Sequence, residues 1–348
     1  MLGNVLRPLP VALYRTTALV ASVDRLQAVD LTTGRLRETV LPHGTPRNSD
    51  SIPDTTAPLV VSNAGAAEAV VPFLIVEGGS GTQVPAGMLE VVGVAAESGR
   101  AGWRMTVRLP DWVSSSSSRV EVSAVGAHAG VAVIHVHNRH HSVSYGIDLT
   151  THQLRWTLPD IAIGAVAAGT AVGLAPAGND TQIIAGWDVG RGTERWRGEP
   201  STRVSVEPAG PSLVRVRGYL GLTRFDDLLV GDSGQIRQSI AAQMRGMSCK
   251  HDAAATLVCM DGFSVAALDA ASGSQIWDLR EGDGRIVPMV TTAWHGRVYG
   301  RTAKQGVTLD ALTGKDMPTR PEAAPVAVNE YFGLVLVDGR LQAYPTGG

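Results

Sequence analysis

Lysine is nearly missing from this chain: Lys250, Lys304 and Lys315 are the only three, and the other 27 of 30 basic residues are arginine. With so much Ala, Gly and Val, that balance points to a GC-rich genome. Charge of one sign is missing too. The formal net charge of -2 leaves no basic stripe and no acidic tail, which argues against nucleic acid as a partner. No apolar run approaches the ~18 to 20 residues of a membrane helix. The opening "MLGNVLRPLPVALYR" lacks the uninterrupted apolar centre of a secretory signal. Any membrane attachment is therefore expected to come from an anchor outside the sequence shown. Cysteine is reduced to Cys249 and Cys259, and aromatics to 5%. The glycine-rich "EGGSGT" at Glu77 to Thr82 lacks the Lys of a phosphate loop and the strand-to-helix context of a nucleophile elbow, so it reads as a loop.

What is present is a globular composition, 44% hydrophobic and 18% charged over 348 residues, enough for two average domains or one large all-β domain. A repeat decides between them. Anchored on a turn glycine, "LQAVDLTTGRLRE" (Gly34), "VGVAAESGRAGW" (Gly99), "YGIDLTTHQLRW" (His152 in the glycine slot), "AGWDVGRGTERW" (Gly192), "LLVGDSGQIRQ" (Gly234), "AALDAASGSQIW" (Gly273) and "VTLDALTGKDMP" (Gly314) are seven copies of one pattern. The anchors lie 65, 53, 40, 42, 39 and 41 residues apart. Each unit holds short β-type runs such as "TLVCM" and "RVYGR", so four strands per unit fit the period. The chain ends supply an eighth unit. "LVLVDGRLQAYPTGG" repeats the strand, turn, strand of "ALVASVDRLQAVDLTTG" but stops at Gly348, while "GNVLR" from Gly3 to Arg7 has the spacing of Gly273 to Trp277. A wheel of this kind has to close, because an open one exposes two sheet edges.

The repeat A-x-D-x-x-T/S-G-x-x-x-W resembles that of pyrroloquinoline-quinone-type (PQQ-type) eight-bladed β-propellers, over essentially the whole chain. Asp30, Asp148, Asp188, Asp269 and Asp310 hold the Asp slot, with Ala95 and Val230 as departures; Trp103, Trp156, Trp196 and Trp277 hold the Trp slot, with Glu38, Gln238 and Pro318 elsewhere. The resemblance implies an all-β, single-domain, eight-bladed propeller of four-stranded antiparallel blades over residues 1–348. Its eighth blade is split between 320–348 and 1–8, closed by pairing of Gly3 to Arg7 with Leu341 to Tyr344. Physical chemistry assigns the slots to structure: glycine permits positive φ, the preceding Asp bonds turn amides, and a repeated Trp packs between blades.

The resemblance also implies what a quinoprotein dehydrogenase needs: a quinone held between a Trp and a disulfide of adjacent cysteines, with calcium bound by Glu, Asn and Asp. This chain has no adjacent cysteines, and Glu90, Asp226 and Asp227 carry no recognisable calcium spacing. The expectation is a non-enzyme without cofactor. Cys249 and Cys259 fall on neighbouring strands of one hairpin, where they form a disulfide in an oxidising compartment or stay two buried thiols; their coincidence in one hairpin favours the disulfide. Six of nine histidines lie between His128 and His152. His135 and His137 share one face of a strand and, with His140 or His141, are candidate metal ligands, the alternative being solvated surface histidines.

The extra length of the early units falls in loops 42–57, 77–87 and 110–118, joined by the turn at 138–141. On propeller topology these share one face, and Trp112 with His140 or His141 are the expected partner anchors. The leading expectation is a non-enzymatic protein-binding or scaffold propeller of the bacterial cell envelope, outside the cytoplasm. The alternatives are the ligand-sensing ectodomain of a membrane receptor such as a serine/threonine kinase, and a quinoprotein or metal-dependent oxidoreductase.

Overall fold

In the computed structural model the described residues are 10–47, 56–63, 65–79, 82, 85–115, 119–282, 284–318 and 323–346. Runs such as Thr17–Ala21 and Val131–His137, rich in Val, Leu and Ile and bounded by Gly, Asp or Asn turns, form strands with most residues buried. Every sheet is antiparallel, and the only helical pieces described are Asp111–Ser115 and the 3-10 turn Ala242–Met244. No described helix is long and apolar enough to cross a membrane. The all-β class is as expected. By hydrogen-bond continuity the described residues form seven sheets where the repeat count predicts eight. One strand, Glu194–Pro208, is 15 residues long and serves the fourth repeat with its first residues and the fifth with its last.

The described chain divides into two compact units, residues 10–176 with 187–194, and residues 177–186 with 195–346. In the first, Val11–Tyr14, Thr17–Ala21, Leu26–Asp30 and Leu36–Val40 pair in sequence order, as do Glu121–His128, Val131–His137, Ser142–Asp148 and Gln153–Pro159. Between these repeats lies a sheet of Leu59–Asn63, Ala66–Glu77, Ala86–Ala95 and Ala101–Arg108. Leu19 and Leu26 of the first repeat pack on Phe73 and Val92 of the second. Leu89 and Val91 of the second pack in turn on Ile134 and Tyr145 of the third. Each such burial contributes roughly 1.5–3 kcal/mol against chain entropy.

The second unit continues the scheme. Leu213–Leu220, Thr223–Val230 and Ile236–Ser239 follow the long strand, and Ser248–His251, Thr256–Met260, Ser264–Asp269 and Gln275–Arg280 make a complete four-stranded repeat. Of the seventh repeat, Met289–Trp294, Arg297–Arg301 and Gly306–Asp310 are described as strands. Pairing towards a fourth begins with the bridge from Leu309 to Asp316, and residues 319–322, where that strand would continue, lie outside the described residues. In the eighth, Ala327–Val328, Phe332–Val337 and Arg340–Pro345 are described. The expected closing strand at Gly3 to Arg7 lies outside the described residues.

All seven anchors have positive φ, from 56° at His152 to 80° at Gly99. The six glycine turns are closed by the same bond: Gly34 N–H donates to Asp30 C=O at 2.7 Å and Gly273 N–H to Asp269 C=O at 2.8 Å. Asp side chains add to it. Asp310 Oδ1 accepts the amides of Leu312 and Thr313 at 3.0 and 2.8 Å, and Asp269 Oδ1 those of Ala271 and Ser272 at 3.1 and 2.7 Å. Where Ala95 and Val230 replace Asp, the backbone bond survives alone at 2.8 Å, so the Asp strengthens the turn without defining it.

The Trp slot seals the following repeat. Trp156 Nε1 donates to Val189 C=O, Trp196 to Gly231 and Trp277 to Ala311, at 2.8, 2.9 and 2.8 Å. Each indole covers the next turn glycine so closely that a Cβ on Gly192, Gly234 or Gly314 would come within 2.7, 2.5 and 2.7 Å of the ring. In the one repeat with histidine at the anchor, Trp103 stacks on His152 at 4.7 Å instead, and its Nε1 donates to Glu68. The four tryptophans are thus packing residues and do not form a cage.

Candidate functional site

The loops singled out by length all lie in the first unit, and their described parts meet. Pro110 sets φ for a helical start and its carbonyl accepts Val113 N–H at 2.9 Å. The segment 110–115 is therefore a short helix, Asp111–Ser115, where the Ser-rich sequence reads as an irregular loop. Val113, fully buried, pins that helix to the core of the second and third repeats. Trp112 is half-buried against the same core. Its ring stacks on His141 at 5.5 Å.

His141 is held out by its own turn. Asn138 Oδ1 accepts the amides of His140 and His141, both at 2.8 Å, and Asn138 N–H donates to His141 C=O at 2.9 Å. That closed Asx turn leaves Arg139, His140 and His141 exposed. His140 meets His141 edge-on at 6.5 Å.

The segment 77–87 is less of a loop than expected, because the hairpin Ala66–Glu77 and Ala86–Ala95 stays in register out to Glu77 opposite Ala86. Part of 42–57 forms a further edge strand, Thr45–Pro46, against Ile75 and Val76 of that hairpin. His43 N–H donates to Glu90 Oε2 at 2.8 Å, and Arg104 Nη1 lies 2.6 Å from Glu90 Oε1. Glu90, fully buried, is thereby spoken for as a structural ion pair. Helix Asp111–Ser115 in turn packs on Ala86–Ala95.

The four candidate metal ligands separate into two pairs. His135 and His137 stack face to face at 4.7 Å on one side of Val131–His137. His137 sits opposite Glu121, its Nε2 at 3.7 Å from Oε2. His135 Nε2 and His137 Nδ1 are buried without a hydrogen-bond partner. Burial first, and the neighbouring His137 second, pushes His135 down to about 3; burial also lowers His137, with Glu121 opposing it. Among the described residues no group of three or more His, Cys, Asp or Glu is placed to hold a metal ion. A cavity of about 50 Å³ beside Glu121, lined by Arg47, Phe73 and Val122 among others, has room for a water or two, far below the few hundred Å³ of a typical organic-ligand pocket.

In the second unit Cys249 and Cys259 are directly opposed in register and joined as a disulfide, Cα to Cα 4.0 Å. Sequence reading missed what lies beside it. Arg215, 1% exposed, forks onto Asp226 with both bonds at 2.7 Å, and its Nη1 reaches Met247 C=O at 2.6 Å and Cys249 Sγ at 2.7 Å. Asp226 is thus engaged in a buried ion pair; the alternation that places Arg215 and Asp226 on facing strands was the available signal.

The arrangement defines a class: an all-β repeat chain whose repeated turn and Trp positions serve its own packing. No family model matches the chain, and no curated protein is similar to it. Among solved structures, the computationally designed Ika8 protein is similar over 97% of this chain and 95% of its own, at 11% identity and a TM-score of 0.54. BamB from Moraxella catarrhalis follows at 14% identity, 98% and 92% coverage and a TM-score of 0.45, and Hsv2p from Kluyveromyces lactis at 8%, 97% and 97%, and 0.45.

Proposed function

We propose that the repeats close into one eight-bladed propeller, residues 1–8 supplying the outer strand of the eighth blade, and that it works as a non-enzymatic protein-binding module outside the cytoplasm. The observation that carries the reading is the Trp112–His141 stack, where a core-anchored indole supports an exposed imidazole on a rigid turn. Aromatic groups fixed by packing cost little entropy on binding, which suits a protein partner. The contacts linking 42–47, 75–90, 111–115 and 138–141 support a single face, since insertions without a shared role would scatter. The Cys249–Cys259 bond supports an oxidising compartment.

The test compares the chain with its Trp112→Ala/His141→Ala double variant as bait in cross-linked envelope extracts. One set of partners is expected with the parent and lost at least about tenfold with the variant, at equal thermal stability of the folded bait corrected for the buried part of Trp112. Retention of every partner by the variant overturns the site. Free-thiol titration of non-reduced, denatured protein from its native host is expected to find no reactive thiols; two would move the protein to a reducing compartment.

A further inference from the structure

Two consecutive hairpins of the second unit end in bare apolar side chains. In the fifth repeat Leu213–Leu220 and Thr223–Val230 stay paired out to Leu220 opposite Thr223, so Gly221 and Leu222 alone form the loop. Gly221 takes φ = 60°, as glycine does at the first position of a tight two-residue turn. Leu222 is left 101% exposed and Leu220 54%. In the sixth repeat Asp261 Oδ1 accepts the amides of Phe263 and Ser264, both at 2.9 Å, and Phe263 C=O accepts Glu281 N–H at 3.1 Å. That turn is held from two sides while the Phe263 ring stays 70% exposed.

The connection 240–247 between these repeats passes the same end. Its Met244 and Met247 are buried in the core that Leu228 of the fifth repeat shares with Leu257 of the sixth, and Gly246 N–H reaches Asp226 Oδ2 at 3.4 Å. Charge around the Leu222 hairpin is mostly of one sign. Arg203, Arg224 and Arg245 are exposed, and none has an ion pair among the described residues. Arg203 lies over the Tyr219 ring, 5.9 Å from its centroid, and a Cβ on Gly246 would meet Arg224 Nη2 at 3.1 Å. Arg217 and Glu207 pair with each other. Glu199, on the approach to the repeat, is an exposed acid, so these surroundings remain net positive. Asp261 and Glu281 flank Phe263, which leaves the fifth repeat as the cationic side.

A stable protein interface buries roughly 800 Å² on each side, which three side chains on convex tips do not supply. A bilayer asks for less: apolar groups that reach past the headgroups, and cations that stay with the phosphates. We infer that this end of the fifth and sixth repeats docks on the surface of an anionic lipid bilayer. Leu220 and Leu222 enter between the headgroups, Phe263 enters beside them, and Arg203, Arg224 and Arg245 meet the lipid phosphates. The inference is independent of the Trp112–His141 face, which belongs to the first unit.

The probe is a set of sucrose-loaded vesicles, phosphatidylcholine alone or mixed with phosphatidylglycerol, sedimented with the intact chain. Binding to the mixed vesicles is expected, weakened at least about tenfold on pure phosphatidylcholine, in high salt, or with either of two double variants, Leu222→Ser/Phe263→Ser and Arg224→Glu/Arg245→Glu. All four side chains belong to exposed residues, so both variants are expected to keep the parent's thermal midpoint. The Trp112→Ala/His141→Ala variant is expected to bind the vesicles as the parent does. No binding to the mixed vesicles, equal binding to pure phosphatidylcholine, full binding by either hairpin variant, or loss with the Trp112 variant would each overturn the inference.

Discussion

His135 shows how one residue couples the fold to acid. Its folded pKa of about 3 lies below the ordinary value of 6.5, so between those limits the unfolded chain holds a proton that the native chain refuses. Stability then falls as pH drops from 6.5 towards 3. From pH 7 to pH 5 this group removes at most about 2 kcal/mol. His135→Phe, which keeps the ring and the stack on His137, is expected to flatten that part of the curve in urea unfolding at the two pH values; an unchanged slope would show that His135 is solvated. Carboxylates act further down. Asp148 and Asp269 are held below the usual range, chiefly by turn amides of Thr151 and Ser272, so what they contribute is present above about pH 4 and lost below it.

At the scale of the element, the turn glycines separate two demands. Gly34 and Gly192 share φ = 68°, but a Cβ at Gly34 meets nothing within 4 Å while one at Gly192 meets the Trp156 ring. Gly34→Ala is expected to cost about 1–2 kcal/mol for the left-handed backbone, and Gly192→Ala roughly 1–3 kcal/mol more for overlap with the indole. Equal losses in chemical denaturation would mean that the indole yields. The glycine, Asp and Trp slots were legible in sequence because the repeat prints them several times, and His152 at positive φ was legible only through that period. The helix at Asp111–Ser115 was not, since Pro-Asp-Trp followed by serines has no helical periodicity and owes its shape to Val113 reaching the core. Nor was the stack of Trp112 on His141, whose 29-residue separation in sequence is bridged by the packing of two repeats. The ion pairs of Glu90 and Asp226 escaped for the same reason: partners on facing strands are chosen by register, which turn lengths set and composition does not reveal.

At the scale of the whole molecule the proposed closure makes a direct claim on the exposed strand Arg340–Pro345, every residue of which is exposed among the described residues. Removing residues 1–8 is expected to lower stability by several kcal/mol, on the order of one paired strand and its buried apolar groups. An unchanged urea midpoint would rule closure out.

The tryptophan seal runs one way only. Trp156, Trp196 and Trp277 bond carbonyls 33, 35 and 34 residues ahead of them, and each belongs to the repeat synthesised next. On the ribosome, where chains fold from the N-terminus as they emerge, a finished four-stranded sheet must therefore wait with its indole uncovered until the following turn leaves the exit tunnel. Folding trails translation by about one repeat, and a pause placed just after any of these tryptophans holds the nascent chain at its stickiest.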